Sequence, residues 1–347
     1  MTMDRPSHDK PQDRVSDVHR PVALTPLSAG TIDEKRAFLA LSTVRGIGQK
    51  TLFAMADDRR SFSEALEYGP DATNPAGSDG KPISERQWSR VRGHALTQGD
   101  RLAEHLETLG IGLLFRGSPG FPSALLDLER PPHWLFVQGS VERLAEPSIA
   151  IVGTRKPSGD GFFLSRYVGA CLGEWGAPTV SGLAAGIDQL AHEHSLRAGV
   201  PTIAVLGTGM LEDYPKGAGR LRDHILGTGG TIVSEYLPMA SYSAENFVQR
   251  NRLQAALGRI LIPAEWNRRS GTAHTVRFAT SLGRPIACLR LPEWCEDRVV
   301  LERGMGLPTG EIFTVPHDQA RFDAFVRTAI GKSSPAQLGQ LSLFGDS

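Results

Sequence analysis

Hydrophobic and polar positions change their rhythm several times along the chain. Residues 1–30 are rich in Pro, Asp, His and Arg and carry little to bury, so disorder is expected there. Within 33–68, EKRAFLALSTV places apolar residues at helical spacing, Gly46-Ile47-Gly48 interrupts, and TLFAMADD resumes. That pattern predicts helix, tight turn, helix. GPDATNPAGSDGKP, over 69–82, has the composition of a linker, and a longer helix is expected over 84–109. From Ile111 the period shortens. IGLLF reads as a strand, GSPGFP as turn chemistry, and PPHWLFVQG as a second extended stretch, because proline biases its predecessor away from helix.

From Ser148 strand and helix alternate. SIAIVG is a strand, Gly161 to Gly173 a helix, PTVSG a strand and Ile187 to Ala198 a helix. PTIAVLG, GGTIVSE, RILIPA and RPIACL add four short apolar strands with helical stretches between them. Unbroken β-branched runs suit a sheet buried on both faces. The alternation predicts an α/β fold with a doubly wound, mostly parallel sheet, though it does not fix the strand order. Periodicity stops after about Ile330.

The 347 residues suit two domains plus tails. Charge balances at 38 basic and 38 acidic side chains, which excludes a polybasic binder but permits a local basic groove. Cys171, Cys288 and Cys295 have no CxxC spacing, so neither a disulfide framework nor a zinc site is expected, and a reducing compartment is. No apolar run nears the roughly 20 residues of a membrane span. The polar N-terminus lacks the apolar core of a secretory signal, so a cytoplasmic location is expected.

Ligands of open parallel sheets bind beyond the carboxyl ends of the strands. The segments there are Gly153-Thr154-Arg155-Lys156, Ser181 to Asp188, Gly207-Thr208-Gly209 with Asp213 to Lys216, Ser234-Glu235-Tyr236, and Arg268-Arg269 with Ser270-Gly271-Thr272. Small residues, hydroxyls and free N–H groups at helix starts form an anion cradle. A single Gly loop needs no more explanation than a tight βα turn, but several such loops together point to phosphate. From Arg250 to Arg284 seven arginines face one acid, Glu265. Such a run is commonly a solvated face. Beside the strand ends, though, clustered arginine suits phosphate, and a row of sites suits nucleic acid. Phe247 serves either as core or as a stacking face for an unpaired base.

Enzyme signatures are missing. No GxGxxG follows the first strand and there is no GxSxG elbow. Gly331-Lys332-Ser333 resembles the end of a phosphate-binding loop, but Val326 stands where glycine is needed. His192 and His194 are spaced i, i+2, which points the rings apart, and both are expected to be partly exposed. Ser181, Asp188 and His192 are a conceivable nucleophile set that nothing in the sequence brings together.

These phrases resemble, in order, the DNA-processing protein A (Smf) family: FRGSPGFPSALLDLERPPHWLFVQG, AIVGTRKPSGDG, VSGLAAGIDQLAH, TIAVLGTGMLEDYPK, IVSEY, NFVQRNR and RRSGTAHTVRFA. VRGIGQKTL is similar to the helix-hairpin-helix (SAM-like) segment preceding that domain. Between the tails that composition predicts, disordered over 1–30 and flexible over 331–347, the resemblance implies a small helical domain over 31–110 and a Rossmann-like domain over 111–330. It also implies a homodimeric, non-enzymatic protein without cofactor that binds and protects single-stranded DNA and loads the RecA recombinase, as in DNA processing and natural transformation. Carried over by motif, Gly153, Thr154, Arg155, Ser181, Gly182, Lys216, Asn246, Phe247, Arg250, Asn251, Arg252, Ser270 and Gly271 would line the pocket. The chain departs from the family at Ala185, where a basic residue is frequent, and at SGTAHTV, where SGSLITA is usual.

Two alternatives stay open. One is a nucleotide-binding sensor, or an enzyme similar to the phosphoribohydrolases, using the same pocket. RRSGTAHTV lacks the doubled Gly and the Glu of those enzymes. The other is an adaptor, because Gln340-Leu341-Ser342-Leu343-Phe344 resembles peptides that dock on the DNA polymerase sliding clamp. Gln340 would supply hydrogen bonds there, and Leu341, Leu343 and Phe344 apolar contact. The same cluster could equally pack on its own domain.

Overall fold

The computed structural model describes residues 33–69, 85–294 and 310–331. The expectations for the N-terminal tail, for the linker beyond Gly69 and for the docking peptide at 340–344 lie outside the described residues.

Among the described residues four helices come first: α1 (Glu34–Ser42), α2 (Gln49–Asp57), α3 (Phe62–Tyr68) and α4 (Glu85–Thr108). Asp33 caps α1, its carboxylate accepting from the Lys35 N–H. The turn before α2 runs through Gly46 at φ 95°, a conformation that favours glycine. α3 was not separable from α2 by pattern. The break comes at Arg59, whose φ is 57°. Glu34 then anchors α3, its carboxylate accepting from the N–H groups of Phe62 and Ser63. A carboxylate there meets the positive end of the helix dipole.

Nine strands form one sheet: β1 (Ile111–Phe115), β2 (Trp134–Gly139), β3 (Ser148–Val152), β4 (Thr179–Ser181), β5 (Thr202–Val205), β6 (Thr231–Ser234), β7 (Gly258–Pro263), β8 (Ile286–Arg290) and β9 (Gly310–Thr314). Their order is β1-β2-β6-β5-β4-β3-β7-β8-β9. β1 with β2 and β2 with β6 pair antiparallel, and the remaining pairs are parallel. The chain runs outward from β3 to β6, returns to the other side of β3 and continues through β7 to β9, so the order reverses between β3 and β7.

The α/β alternation is as expected, with α5 (Gly159–Trp175), α6 (Ile187–Arg197), α7 (Gly219–Gly227), α8 (Ala244–Leu257), α9 (Gly271–Ser281) and α10 (Gln319–Ala329). β3 shows why the strands read as unbroken apolar runs. Ile149 and Ile151 enter the core beneath α5, α6 and α10, whereas Ala150 and Val152 enter the core beneath α8 and α9. Both faces are covered, so Ile149 to Val152 are all apolar.

The helical segment shares a third core with the β1–β2 side of the sheet. Phe38 packs 4.7 Å from Trp134 and 5.6 Å from Phe115, centroid to centroid. Trp134 donates its indole N–H to the Glu235 carbonyl at 2.9 Å. Aromatic pairs of this kind contribute about 0.5–1.5 kcal/mol each beyond their burial. Among the described residues no helix is long and apolar enough to cross a membrane.

Candidate nucleic-acid interface

The loops after β3, β4, β5, β6 and β7 gather at the carboxyl edge of the parallel strands. At the point of strand-order reversal the first and last of these are stitched together. The Thr154 N–H donates to the Glu265 carbonyl at 2.7 Å, and the Ala264 N–H to the Val152 carbonyl at 2.9 Å. The Glu265 carboxylate accepts from the N–H and the hydroxyl of Ser158, the N-cap of α5, at 2.9 and 2.7 Å. An internal carboxylate thus occupies the helix N-terminus where this topology commonly holds a ligand's anion.

Below the edge lies a buried ionic layer. Arg250 is only 2% exposed. Its Nη1 donates to the Gly182 carbonyl at 2.6 Å and also to the Val205 carbonyl. Those are the ends of β4 and β5, whose carbonyls need partners once buried. Asp188 faces the same guanidinium and accepts the N–H groups of Gly153 and Gly182. Burial pushes the Asp188 carboxyl up, and Arg250 opposes that shift. Gly182 allows the approach, since a Cβ there would lie 2.5 Å from Asp188 Oδ2. Arg252 makes a two-pronged pair with Glu235, at 3.0 and 2.6 Å. The Ser181 hydroxyl donates to the Ile151 carbonyl at 2.6 Å, and the Asn251 amide to the Gly271 carbonyl at 3.1 Å.

Several expected ligands therefore sit beneath the surface. Ser181, Arg250 and Asn251 are buried, Arg252 is held by Glu235, and the Gly153 and Gly182 N–H groups are spent on Asp188. The arginine row is also corrected. Arg259 and Arg284 sit at the amino ends of β7 and β8, on the opposite edge, and Arg284 pairs with Asp127 at 2.8 Å. His192 is corrected from partly exposed to fully buried. Its Nδ1 lies 2.7 Å from the Thr202 hydroxyl, so it forms no triad with Ser181 and Asp188. Burial, with Arg250 second, pushes its pKa down to about 3. Among the described residues no cluster of three or more His, Cys, Asp or Glu side chains could hold a metal ion.

Above this layer is an open one. Arg155 is exposed, and its guanidinium carbon stands 5.0 Å from the centre of the Phe247 ring. Phe247 lies against Gly207, where a Cβ would come within 2.5 Å of ring atom Cδ1. Tyr214 follows at 5.2 Å, and Tyr242, 59% exposed, stacks on Tyr214 at 4.8 Å. Three rings thus form a row with a cation over one end. Lys156 and Lys216 are exposed beside it in sequence. Asn246 lies in the first turn of α8, behind the Ser243 cap. Thr154, Ser270 and Gly271 stay at the edge: the Thr154 hydroxyl accepts from the Lys156 N–H, and Ser270 directly precedes α9 with its hydroxyl donating to the Asn267 carbonyl at 2.7 Å. Tyr214 and Tyr242 were missed. The signal for each was a lone aromatic in a polar loop, DYPK and SYSAEN.

Flat rings and mobile cations on one rim are the means by which proteins hold unpaired bases and their phosphates. A family model, DNA recombination-mediator protein A, matches residues 112–300, more than half of the chain. The chain belongs to this family. Protein Smf of Synechocystis is 32% identical over 260 residues, covering 74% of this chain and 64% of that protein. DNA processing protein DprA of Streptococcus pneumoniae is 39% identical over 166 residues, 48% of this chain and 58% of that one. Protein Smf of Escherichia coli is 36% identical over 172 residues, 50% and 46%. The chain thus spans from about half to just under two thirds of the length of these relatives. Among solved structures, DprA of S. pneumoniae superposes with TM-score 0.55 at 25% identity, covering 83% of this chain and 96% of that one. DNA processing protein A of Helicobacter pylori, solved for its single-stranded DNA binding mode, gives TM-score 0.52 at 27% identity, covering 64% and 96%. Within the family's matched span fall the strand-end loops, the buried ionic layer and the aromatic row of this member.

Proposed function

We propose that this family member binds single-stranded DNA along the rim of the strand ends and delivers it to the RecA recombinase, acting as a homodimer without catalysing a reaction. The observation that carries the reading is the row Tyr242–Tyr214–Phe247 with Arg155 over its inner end. Bases stack on the rings, and the phosphates between them meet Arg155, Lys156 and Lys216. Asn246, Thr154, Ser270 and Gly271 border the path. Arg250, Arg252, Asn251 and Ser181 act from beneath, holding the loops that carry the contacts. Stacking and backbone contacts carry little base information, so sequence preference is slight. The Smf and DprA relatives and the DNA-binding H. pylori structure support the substrate class.

Fluorescence anisotropy with labelled single- and double-stranded oligonucleotides across a salt series tests the reading. The single strand should bind preferentially, and Arg155→Ala should lower the salt slope by about 0.7, the share of one phosphate contact. A folded protein that fails to bind at low salt refutes it, and mononucleotides would then be screened. RecA filament formation on oligonucleotide coated with a single-strand-binding protein, with and without this chain, tests the loading step.

A further inference from the structure

A groove of about 500 Å³ separates the helical segment from the chain between β6 and α8. That is within the range of about 300–1,000 Å³ in which proteins hold small ligands. Its floor is the Glu235–Arg252 pair, which cancels its own charge. Phe53 of α2 and Met239 line it, and Met239 is 73% exposed. Lys50, in the first turn of α2, lines it too, is exposed, and makes no ion pair among the described residues. Glu245 and Asn246, both in the first turn of α8, also border it.

The groove and the aromatic row draw on the same loop before α8 and on the first turn of that helix. Asn246 borders the groove and is followed directly by Phe247. Met239 precedes Tyr242 by three residues in the same loop. The groove and Tyr242 therefore flank the same start of α8. The interior suits a base rather than a phosphate, having a ring and a thioether over a self-neutralised floor. Lys50 is the cation that could hold the adjoining phosphate, and Glu245 keeps that phosphate on the α2 side.

We propose that this groove is a second subsite for the same single strand, in which the helical segment seats a further base against Phe53 and Met239 and a phosphate on Lys50. This rests on the reading of the strand-end rim as the DNA site. It assigns the helical segment a part in binding, so affinity should depend on oligonucleotide length.

The test uses the full chain and oligothymidylates of about 4 and about 16 nucleotides, the span over which single-strand sites commonly fill. Lys50→Glu and Met239→Glu both alter exposed positions, so folding is retained and is checked by circular dichroism. Each should weaken the longer oligonucleotide about five-fold or more, and Lys50→Glu should lower its salt slope by about 0.7. The shorter one, bound on the aromatic row, should be unaffected. If both variants bind the longer strand like wild type while Arg155→Ala does not, the groove is no DNA subsite and the rim reading stands. If the wild type binds neither oligonucleotide, the rim reading fails and this inference with it. Unchanged DNA affinity with a shift in sedimentation would assign the groove to a second copy and also overturn the proposal.

Discussion

Acid should weaken this fold through His192 in a way that one substitution can isolate. The ring is fully buried, bonded through Nδ1 to Thr202, while Nε2 has no partner among the described residues and the Arg250 cation lies nearby. Its pKa is pushed down to about 3 from the ordinary 6.5. The unfolded chain therefore takes up a proton below pH 6.5 that the folded chain refuses until about pH 3. Stability falls as pH drops through that window and is fully retained above it. Moving from pH 6.5 to about 4.5 therefore removes about 2–3 kcal/mol. That is a large share of the roughly 5–15 kcal/mol that holds a typical domain folded. Asp188 and Glu235 act in the opposite sense, because burial pushes both carboxyls up and the folded chain keeps their protons longer. The total pH profile mixes these effects, whereas a difference between two chains does not. Asn can keep the bond to Thr202 but cannot titrate. Urea unfolding of wild type and His192→Asn at several pH values should show the wild type ahead at neutral pH. Its lead should shrink by about 2–3 kcal/mol by about pH 4.5. A lead that stays constant, or a His192 resonance titrating near 6.5 in the folded protein, refutes the reasoning.

Other substitutions separate the buried layer from the rim. Arg252→Ala strands a buried carboxylate and should cost about 3–5 kcal/mol in urea unfolding. Unchanged stability with lost oligonucleotide binding would instead make Arg252 a phosphate ligand. Gly207→Ala drives a methyl into Phe247, and tilting that ring should weaken single-strand binding by about 1–3 kcal/mol, the worth of one stacked base. Anisotropy checks this, and wild-type affinity would remove Phe247 from the path. Deleting residues 340–344 should abolish retention on an immobilised sliding clamp without changing oligonucleotide affinity. Retention that survives the deletion ends the docking reading.

Much of the architecture was legible because burial on two faces writes itself as unbroken apolar runs. The six strands from SIAIVG to RPIACL came from that signal, whereas IGLLF and PPHWLFVQG were read from a short apolar stretch beside turn residues and from proline bias. β9 and α10 did not, since GEIFT has only two strongly apolar positions. Strand order depends on which helix crosses which face, and local pattern does not carry that. The site was legible as a set of loops but not in depth. Arg155 and Arg250 look alike in sequence, yet one is exposed and the other is walled in by Asp188 and two carbonyls. Only the folded sheet distinguishes them, because Arg250 is called inward by strand ends lying far away in the chain. Tyr214 and Tyr242, 28 positions apart, become neighbours only when the loops after β5 and β6 meet.

Phe38 and Trp134 carry a practical lesson for anyone cutting this chain into pieces. The helical segment looks like a removable module in sequence, ending just before Ile111. Its centre, however, is the lid over Trp134 and Phe136, both fully buried. A fragment beginning at Ile111 would present that aromatic wall to water along the β1–β2 side of the sheet and would be prone to self-association. Loss of DNA binding by such a fragment would report clumping rather than a missing contact, so the helical segment is best probed by point changes such as Lys50→Glu.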